Sequence, residues 1–348
     1  VSGLRVGIVG PLLGHHPGWV VSQGERLAQR LVDDGVTVRT TSGRIGRAAR
    51  AVDTVRTIRS WKGDVDVVVV MVFSGPAFAM TDLATRSAGA LQVPVVLWLH
   101  GGNLPDFARR HRRWADAVGR RAAAVVAPSP YLVGAVGTAT TRGPGRAPVV
   151  IPNVLAEACR PFAPRRPLRP RLLWMRTFHP LYRPEWAIDV LARLLDHCPD
   201  ATLTMAGQDR GGLSTVRTKV HDAGLDQHVR FAGFLDAPAK DHAFADHDLF
   251  VNTSAADNAP VSLLEAAAHG LPIVSTAVGG IPDLFPDGVA ALLADDPAGL
   301  AEAAVRLLDD ADLAAALAGA AHDRARESTW EQVGPRWRRL LEEVVAHG

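Results

Sequence analysis

The sequence predicts an α/β protein built as two parallel-sheet domains, and three observations carry that expectation. First, 348 residues correspond to about two domains, each long enough for a hydrophobic core of its own. Second, apolar runs such as Val65-Asp66-Val-Val-Val-Val-Met-Val-Phe73 and Pro94-Val-Val-Leu-Trp-Leu99 read as strands buried on both faces. They alternate with segments of helical periodicity, the order expected of strand–helix–strand units. Third, a proline- and arginine-rich stretch over 161–170 breaks any helix or central strand between two such series. The expected division is a first domain over 1–160, a linker over 161–170, a second domain over 171–328 and a terminal helix over 329–348.

Composition narrows the class. Hydrophobic residues make up 47% and charged residues 21% of the chain, the balance of a soluble globular protein. Lys and Arg number 38 against 36 Asp and Glu, so no overall field directs the chain to nucleic acid. Cys159 and Cys198 share no metal or redox spacing, which fits a reducing cytoplasm. No apolar run approaches the ~20 residues of a spanning helix. Leu4-Arg-Val-Gly-Ile-Val9 lacks a signal peptide's cleavage site and reads as a first strand. A soluble, cytoplasmic protein is expected.

In the first domain that strand runs into Gly10-Pro-Leu-Leu-Gly14-His-His-Pro-Gly18-Trp, then a helix over 20–33 and a second strand from Val36. Such a strand–Gly loop–helix opening binds phosphate in many folds, but it does not match G-x-G-x-x-G, so a dinucleotide is not implied. Asp64-Val-Asp66 has the spacing of a metal-binding D-x-D, yet it enters a core strand before any loop and is read as a strand-start pair; no metal site is expected. The strand over 94–99 ends at His100-Gly101-Gly102-Asn103, at the edge where α/β sheets bind ligands. Residues 107–121 are the most basic segment, with Arg109, Arg110, Arg112, Arg113, Arg120 and Arg121 flanking Phe107, Trp114 and Val118. That pattern fits either a surface helix with solvated arginines or a helix lying on an anionic membrane.

In the second domain, Arg171-Leu-Leu-Trp-Met175 is a strand followed by Arg176-Thr-Phe-His-Pro-Leu-Tyr-Arg183. Strands follow at 201–206, ending in Gly207, and at 229–233, ending in Gly233-Phe234-Leu235. The densest signal is Asp248-Leu-Phe-Val-Asn-Thr, a polar loop with Asp257 and Asn258, a short helix carrying Val261, Ser262, Leu263 and Glu265, then Gly270-Leu-Pro272 and a further strand. Gly and Pro end the helix. Its N-terminus points from the carboxyl edge of the sheet, where an anion gains roughly 0.3–1 kcal/mol from the helix dipole beside direct amide hydrogen bonds. Amides that hold phosphates beside acids that grip hydroxyls suit a nucleotide sugar. The same features also describe an ordinary strand–helix–strand loop with Asp257 and Asn258 as cap residues.

Acid, seven residues, acid, then an early Gly-x-Pro (Asp257, Glu265, Gly270-Leu-Pro272) resembles the E-x7-E signature of family 4 retaining glycosyltransferases, with Asp257 standing where that family has Glu. The resemblance spans nearly the whole chain and is densest over 176–282. It implies the GT-B fold, two Rossmann-like domains facing across a cleft, and transfer of a sugar from a nucleoside diphosphate sugar, UDP favoured, to a hydroxyl of a glycan, lipid-linked or small-molecule acceptor. It implies no cofactor and no metal, the nucleotide sugar being a substrate. It further implies that Glu265 binds the donor ribose, that Asp257 reaches the donor sugar and that Arg176 and Arg183 clamp the diphosphate with the backbone of 261–263. Phe234 and Leu235 then flank the base, Gly18 lets the first loop approach the donor, His100 faces the sugar, and the terminal helix over 329–348 packs back on the first domain. Related enzymes acting on lipids use a helix like 107–121 at the membrane. Two other readings fit the fold: a non-catalytic sugar-nucleotide-binding protein and a nucleotide-sugar epimerase. A phosphorylase would need a pyridoxal lysine, and Lys62, Lys219 and Lys240 stand in no suitable motif.

Overall fold

The computed structural model describes residues 3–133 and 147–347. They form two compact units, Val1–Ala156 with Trp330–Gly348, and Glu157–Thr329.

The first unit is a parallel sheet of β1 (Arg5–Val9), β2 (Thr37–Thr41), β3 (Val67–Val72), β4 (Val95–Leu99), β5 (Ala124–Ala127) and β6 (Val149–Val150) in the order β2-β1-β3-β4-β5-β6. Alternate residues feed two cores, one on each face. Ile8, Val69, Met71 and Trp98 face one side with Leu27 and Leu31. Val9, Val70, Leu97 and Leu99 face the other with Ile58 and Phe78. The Trp330–His347 helix completes the first of these cores with Val333, Trp337, Leu340, Leu341 and Val344. Trp337 meets Trp98 edge-on at 4.9 Å.

Local chemistry moves several expected boundaries. The first helix starts at Gln23, not at Val20, because Ser22 and Glu25 close a reciprocal capping box. The single basic helix expected over 107–121 is two, Leu104–Arg110 and Arg112–Gly119, broken where His111 leaves helical geometry. Phe107 and Trp114 pack inward on Phe78, at 5.0 and 4.9 Å between ring centroids. The Trp114 indole N–H donates to Asp82. The aromatic side of this segment is therefore part of the first unit's core, while Arg109, Arg110, Arg112, Arg113 and Arg120 face outward and Arg121 turns back to Asp82. Asp66 accepts from the Arg5 amide and guanidinium, so this acid pins the start of β1.

The second unit is a parallel sheet of β7 (Arg171–Met175), β8 (Thr202–Ala206), β9 (Val229–Gly233), β10 (Leu249–Asn252), β11 (Ile273–Thr276) and β12 (Leu292–Ala294) in the order β12-β11-β10-β7-β8-β9. Its core centres on Trp174, Phe178, Leu203 and Val251. The helical stretch over 297–326 divides at Asp310, whose carboxylate caps the second piece through the amides of Asp312 and Leu313.

The expected linker over 161–170 lies on the second unit as a strap. The Arg165 guanidinium donates to the carbonyls of Phe244, Ala245 and His269, the last turns of two helices where carbonyls lack helical partners. Phe162 packs on Gly270, Gly319 and His322, and Arg160 pairs with Asp241 at 2.5 Å. These contacts put the boundary between the units at 156/157. Among the described residues no helix is long and apolar enough to cross a membrane.

Candidate active site

In the second sheet the strand order reverses between β7 and β10. Crossovers leaving those two strands run to opposite sides, which opens a crevice at their carboxyl ends, the usual ligand position of open α/β sheets. The residues that follow the two strands meet there.

Arg176, just past β7, ion-pairs with Asp257, from the loop after β10, and donates to Ser262 Oγ at 3.2 Å. Its guanidinium lies 4.1 Å from the Tyr182 ring centroid, and its Nε is buried without a hydrogen-bond partner among the described residues. Both side chains of the pair are only 13% exposed, so each charge depends on the other. The second Asp257 oxygen accepts the Asn258 amide at 2.9 Å.

Two glycines make this pairing sterically possible. A Cβ on Gly207 would lie 1.9 Å from the Arg176 carbonyl oxygen, and one on Gly279 would lie 1.7 Å from that of Asp257. Both positions have positive φ. Gly207 therefore serves close backbone packing against Arg176.

The loop itself is fixed by buried hydroxyls. Trp174 Nε1 donates to Thr253 Oγ1, which in turn donates to the carbonyls of Tyr182 and Arg183. Thr276 Oγ1 donates to the Ser254 carbonyl at 2.7 Å. The Val261–Ala268 helix then begins after Pro260 with neither a side-chain cap nor an acid in its first turn. The Leu263 amide already donates to the Pro260 carbonyl at 3.1 Å, and the Leu263 side chain is wholly buried. Of the three amides expected to meet phosphate, Val261 and Ser262 are the ones left to point outward.

Arg183 occupies left-handed backbone geometry, φ 43°, which costs a non-glycine residue on the order of 1 kcal/mol and clusters at functional sites. A short 3-10 turn, Pro180–Tyr182, takes up the long gap between the two arginines. Its guanidinium stacks 4.2 Å from the Trp186 ring centroid and has no acid partner among the described residues. Of the two expected phosphate cations, Arg176 is committed to Asp257 and Arg183 is the one without a counter-charge.

Glu265, one-tenth exposed at its side chain, accepts from Lys240 Nζ at 3.1 and 3.3 Å. Lys240 is the functional-site residue that sequence reading passes over. It sits on the neighbouring Ala237–Asp246 helix, and a contact between two helices leaves no local signal. Phe234, 38% exposed, and the half-buried Leu235 follow Gly233 (φ 69°) at the carboxyl end of β9. Asn258 is buried beside Asp257.

Two expected site residues belong to the first unit. Gly18 has φ 76° and open space around a built Cβ, so backbone geometry, not packing, requires glycine. His100 follows β4, stacked on Phe73 at 5.2 Å and tilted against Trp98 at 4.5 Å. Burial pushes its pKa from 6.5 down to about 3, so the ring is neutral at physiological pH. Its Nε2 is buried with no partner among the described residues. A neutral imidazole with one unsatisfied nitrogen is suited to a hydroxyl, not to an anion. Among the described residues, no group of three or more His, Cys, Asp or Glu is placed to hold a metal.

Known proteins resemble this chain in sequence and in fold. The model of the family described as Glycosyl transferases group 1 matches residues 169–310. N-acetyl-alpha-D-glucosaminyl L-malate synthase of Bacillus anthracis is 31% identical over 163 residues, 46% of this chain and 41% of that protein. This match therefore spans about two-fifths of that relative's length. Glycogen synthase of Mycobacterium tuberculosis is 30% identical over 307 residues, covering 82% of this chain and 70% of that one. In fold, the chain is similar to Anabaena HepE, solved in complex with UDP and glucose, with a TM-score of 0.72 at 18% identity over 98% of this chain and 100% of the other. The chain belongs to the group 1 glycosyltransferases and has the GT-B fold.

Proposed function

We propose that the second unit binds a nucleoside diphosphate sugar and that the protein, as a family 4 enzyme working in the cytoplasm, transfers the sugar with retention of configuration to an acceptor hydroxyl taken by the first unit. The observation that carries this is the switch-point constellation: an uncapped helix N-terminus, the unpaired Arg183 cation and two acids, the largely covered Asp257 and the buried Glu265, around one crevice. UDP is the favoured donor nucleotide, a choice supported by the UDP in the structurally similar HepE complex.

The geometry supports the following roles. Glu265, held by Lys240, accepts hydrogen bonds from ribose hydroxyls. Phe234 offers an exposed ring for the base. Asp257, aimed by Arg176, accepts from donor-sugar hydroxyls. Arg183 and the amides of Val261 and Ser262 meet the diphosphate, whose negative charge grows as the sugar–oxygen bond breaks. Donors aligned in advance on such charge are worth roughly 2.7–4 kcal/mol each in acyl-transfer enzymes, and comparable assistance is expected here. The acceptor hydroxyl attacks the face the diphosphate leaves, and its proton passes to the departing phosphate oxygen. Neutral His100 orients a hydroxyl without adding charge.

A thermal-shift screen with UDP, GDP, ADP, TDP and CDP on wild type and Glu265→Ala tests the reading. A diphosphate at ~100 times its Kd stabilises by roughly 2.7 kcal/mol, several degrees for units of this size. A shift with one nucleotide, lost in Glu265→Ala, is expected; no shift with any of them overturns the donor site. The Arg176–Asp257 pair favours one second reading, a non-catalytic binder, because it occupies the acid that would hold the sugar. That reading requires nucleotide binding without transfer, and no functional loss in Asp257→Ala.

A further inference from the structure

We infer that the first unit carries a small anion-binding pocket, built around Arg50 and Thr81, that receives a phosphate or carboxylate group of the acceptor. The first sheet has its own strand-order reversal, between β1 and β3, where ligands bind in folds of this order. A cavity of about 50 Å³ lies there, between the ends of those strands and the Arg47–Ser60 and Phe78–Gly89 helices. That is room for a few waters or one compact oxyanion.

Most of the wall is apolar, including Val9, Val70, Met71 and Phe73. Against it stand one cation and two buried hydroxyl residues, Thr54 and Thr81. Arg50 Nε and one terminal nitrogen donate to the carbonyls of Arg44 and Ile45 at 2.8 and 2.9 Å. These bonds fix the guanidinium and leave its other terminal nitrogen uncommitted among the described residues. Burial pushes the Arg50 pKa down, and the neighbouring charge is that of Arg47, of like sign. A partly buried cation without a counter-charge is costly, and an incoming anion removes that cost. Thr81 Oγ1, on a residue 1% exposed, has no hydrogen-bond partner among the described residues. An oxyanion is the partner both groups lack.

Phe73 links this pocket to His100: it lines the cavity, and its ring stacks on the imidazole. An anionic group on Arg50 would therefore leave the rest of the acceptor running over Phe73 towards the His100 nitrogen. The assignment to the acceptor rests on the transferase reading above; the anion site itself does not.

The test is isothermal titration of the full chain, with saturating UDP, by sodium phosphate and in a second arm by sodium malonate. Wild type should bind at least one of them, and the tighter arm identifies the group. Arg50→Gln should weaken that anion by about tenfold or more, the loss of a charge-assisted contact. Thr81→Val, which leaves the Arg50–carbonyl bonds intact, should weaken it about fivefold. UDP affinity should be unchanged in both variants. Absence of binding to wild type, or equal affinity in wild type and Arg50→Gln, overturns the pocket. Acceptors that differ only by a phosphate or carboxylate group form the transfer arm: wild type should prefer the anionic one through KM, and Arg50→Gln should erase the preference. If UDP fails to bind, the donor reading fails by itself, while the Arg50 comparison still decides the pocket.

Discussion

At the scale of the residue, His100 shows how burial sets chemistry. Its folded pKa of about 3 lies below the ordinary 6.5, so between those values the unfolded chain binds the proton and the folded chain does not. Stability then rises with pH across that window, by up to about 1.4 kcal/mol per unit. The contribution is fully present above 6.5 and is lost as pH falls towards 3. Urea unfolding between pH 4 and 7 should show this slope in wild type and a flatter one in His100→Asn; parallel curves would refute it. The acids were legible because Asp257 and Glu265 share one loop and helix, and their spacing survives in the sequence. Lys240 was not, since its ion pair with Glu265 joins separate helices. Gly207 and Gly279 were legible as glycines, but not their reason, the carbonyl oxygens of Arg176 and Asp257 standing where a Cβ would be.

At the scale of the element, helix ends explain most departures from expectation. Proline content marks residues 161–170 as neither helix nor central strand, yet it says nothing about what such a segment packs on. Arg165 decides that, by capping the last turns of the Ala237–Asp246 and Val261–Ala268 helices. The second of these helices carries Ser262 and Glu265, so the strap braces the candidate site from behind. Hydrogen bonds from a charged group contribute about 1.5–3 kcal/mol. Arg165→Ala should therefore destabilise the second unit by about 2 kcal/mol in denaturant titration. Arg165→Lys should recover little, because a single ammonium lacks the planar fork that reaches three carbonyls. Full recovery by lysine would show that charge alone matters there. In the 107–121 segment helical spacing already puts Phe107 and Trp114 on one face, and both pack on Phe78; what it does not reveal is the break at His111 that makes two helices of one.

At the scale of the whole molecule, the first unit is made of two chain segments separated by the second unit. The apolar stripe of Trp330, Val333, Trp337, Leu340, Leu341 and Val344 was legible from its spacing; that it packs on the first domain was implied by the family resemblance, not by the spacing. Five buried apolar side chains, Val333, Trp337, Leu340, Leu341 and Val344, at about 1.5–3 kcal/mol each, amount to a whole domain's net stability of roughly 5–15 kcal/mol. A chain ending at Thr329 should thus lose the first unit and keep the second. Hydrogen exchange would read this directly, with the amides of β3 and β4 unprotected and those of β7 and β8 protected. Uniform protection would show that the last helix is dispensable.

The late position of that helix also bears on how the protein is made. As the chain leaves the ribosome, β1 to β6 emerge long before the element that covers Met71 and Trp98. At ~5–20 residues per second, synthesis of the intervening unit takes roughly ten seconds or more. Throughout that interval the part of the face not covered by Leu27 and Leu31 stays open to water, a natural substrate for holding chaperones.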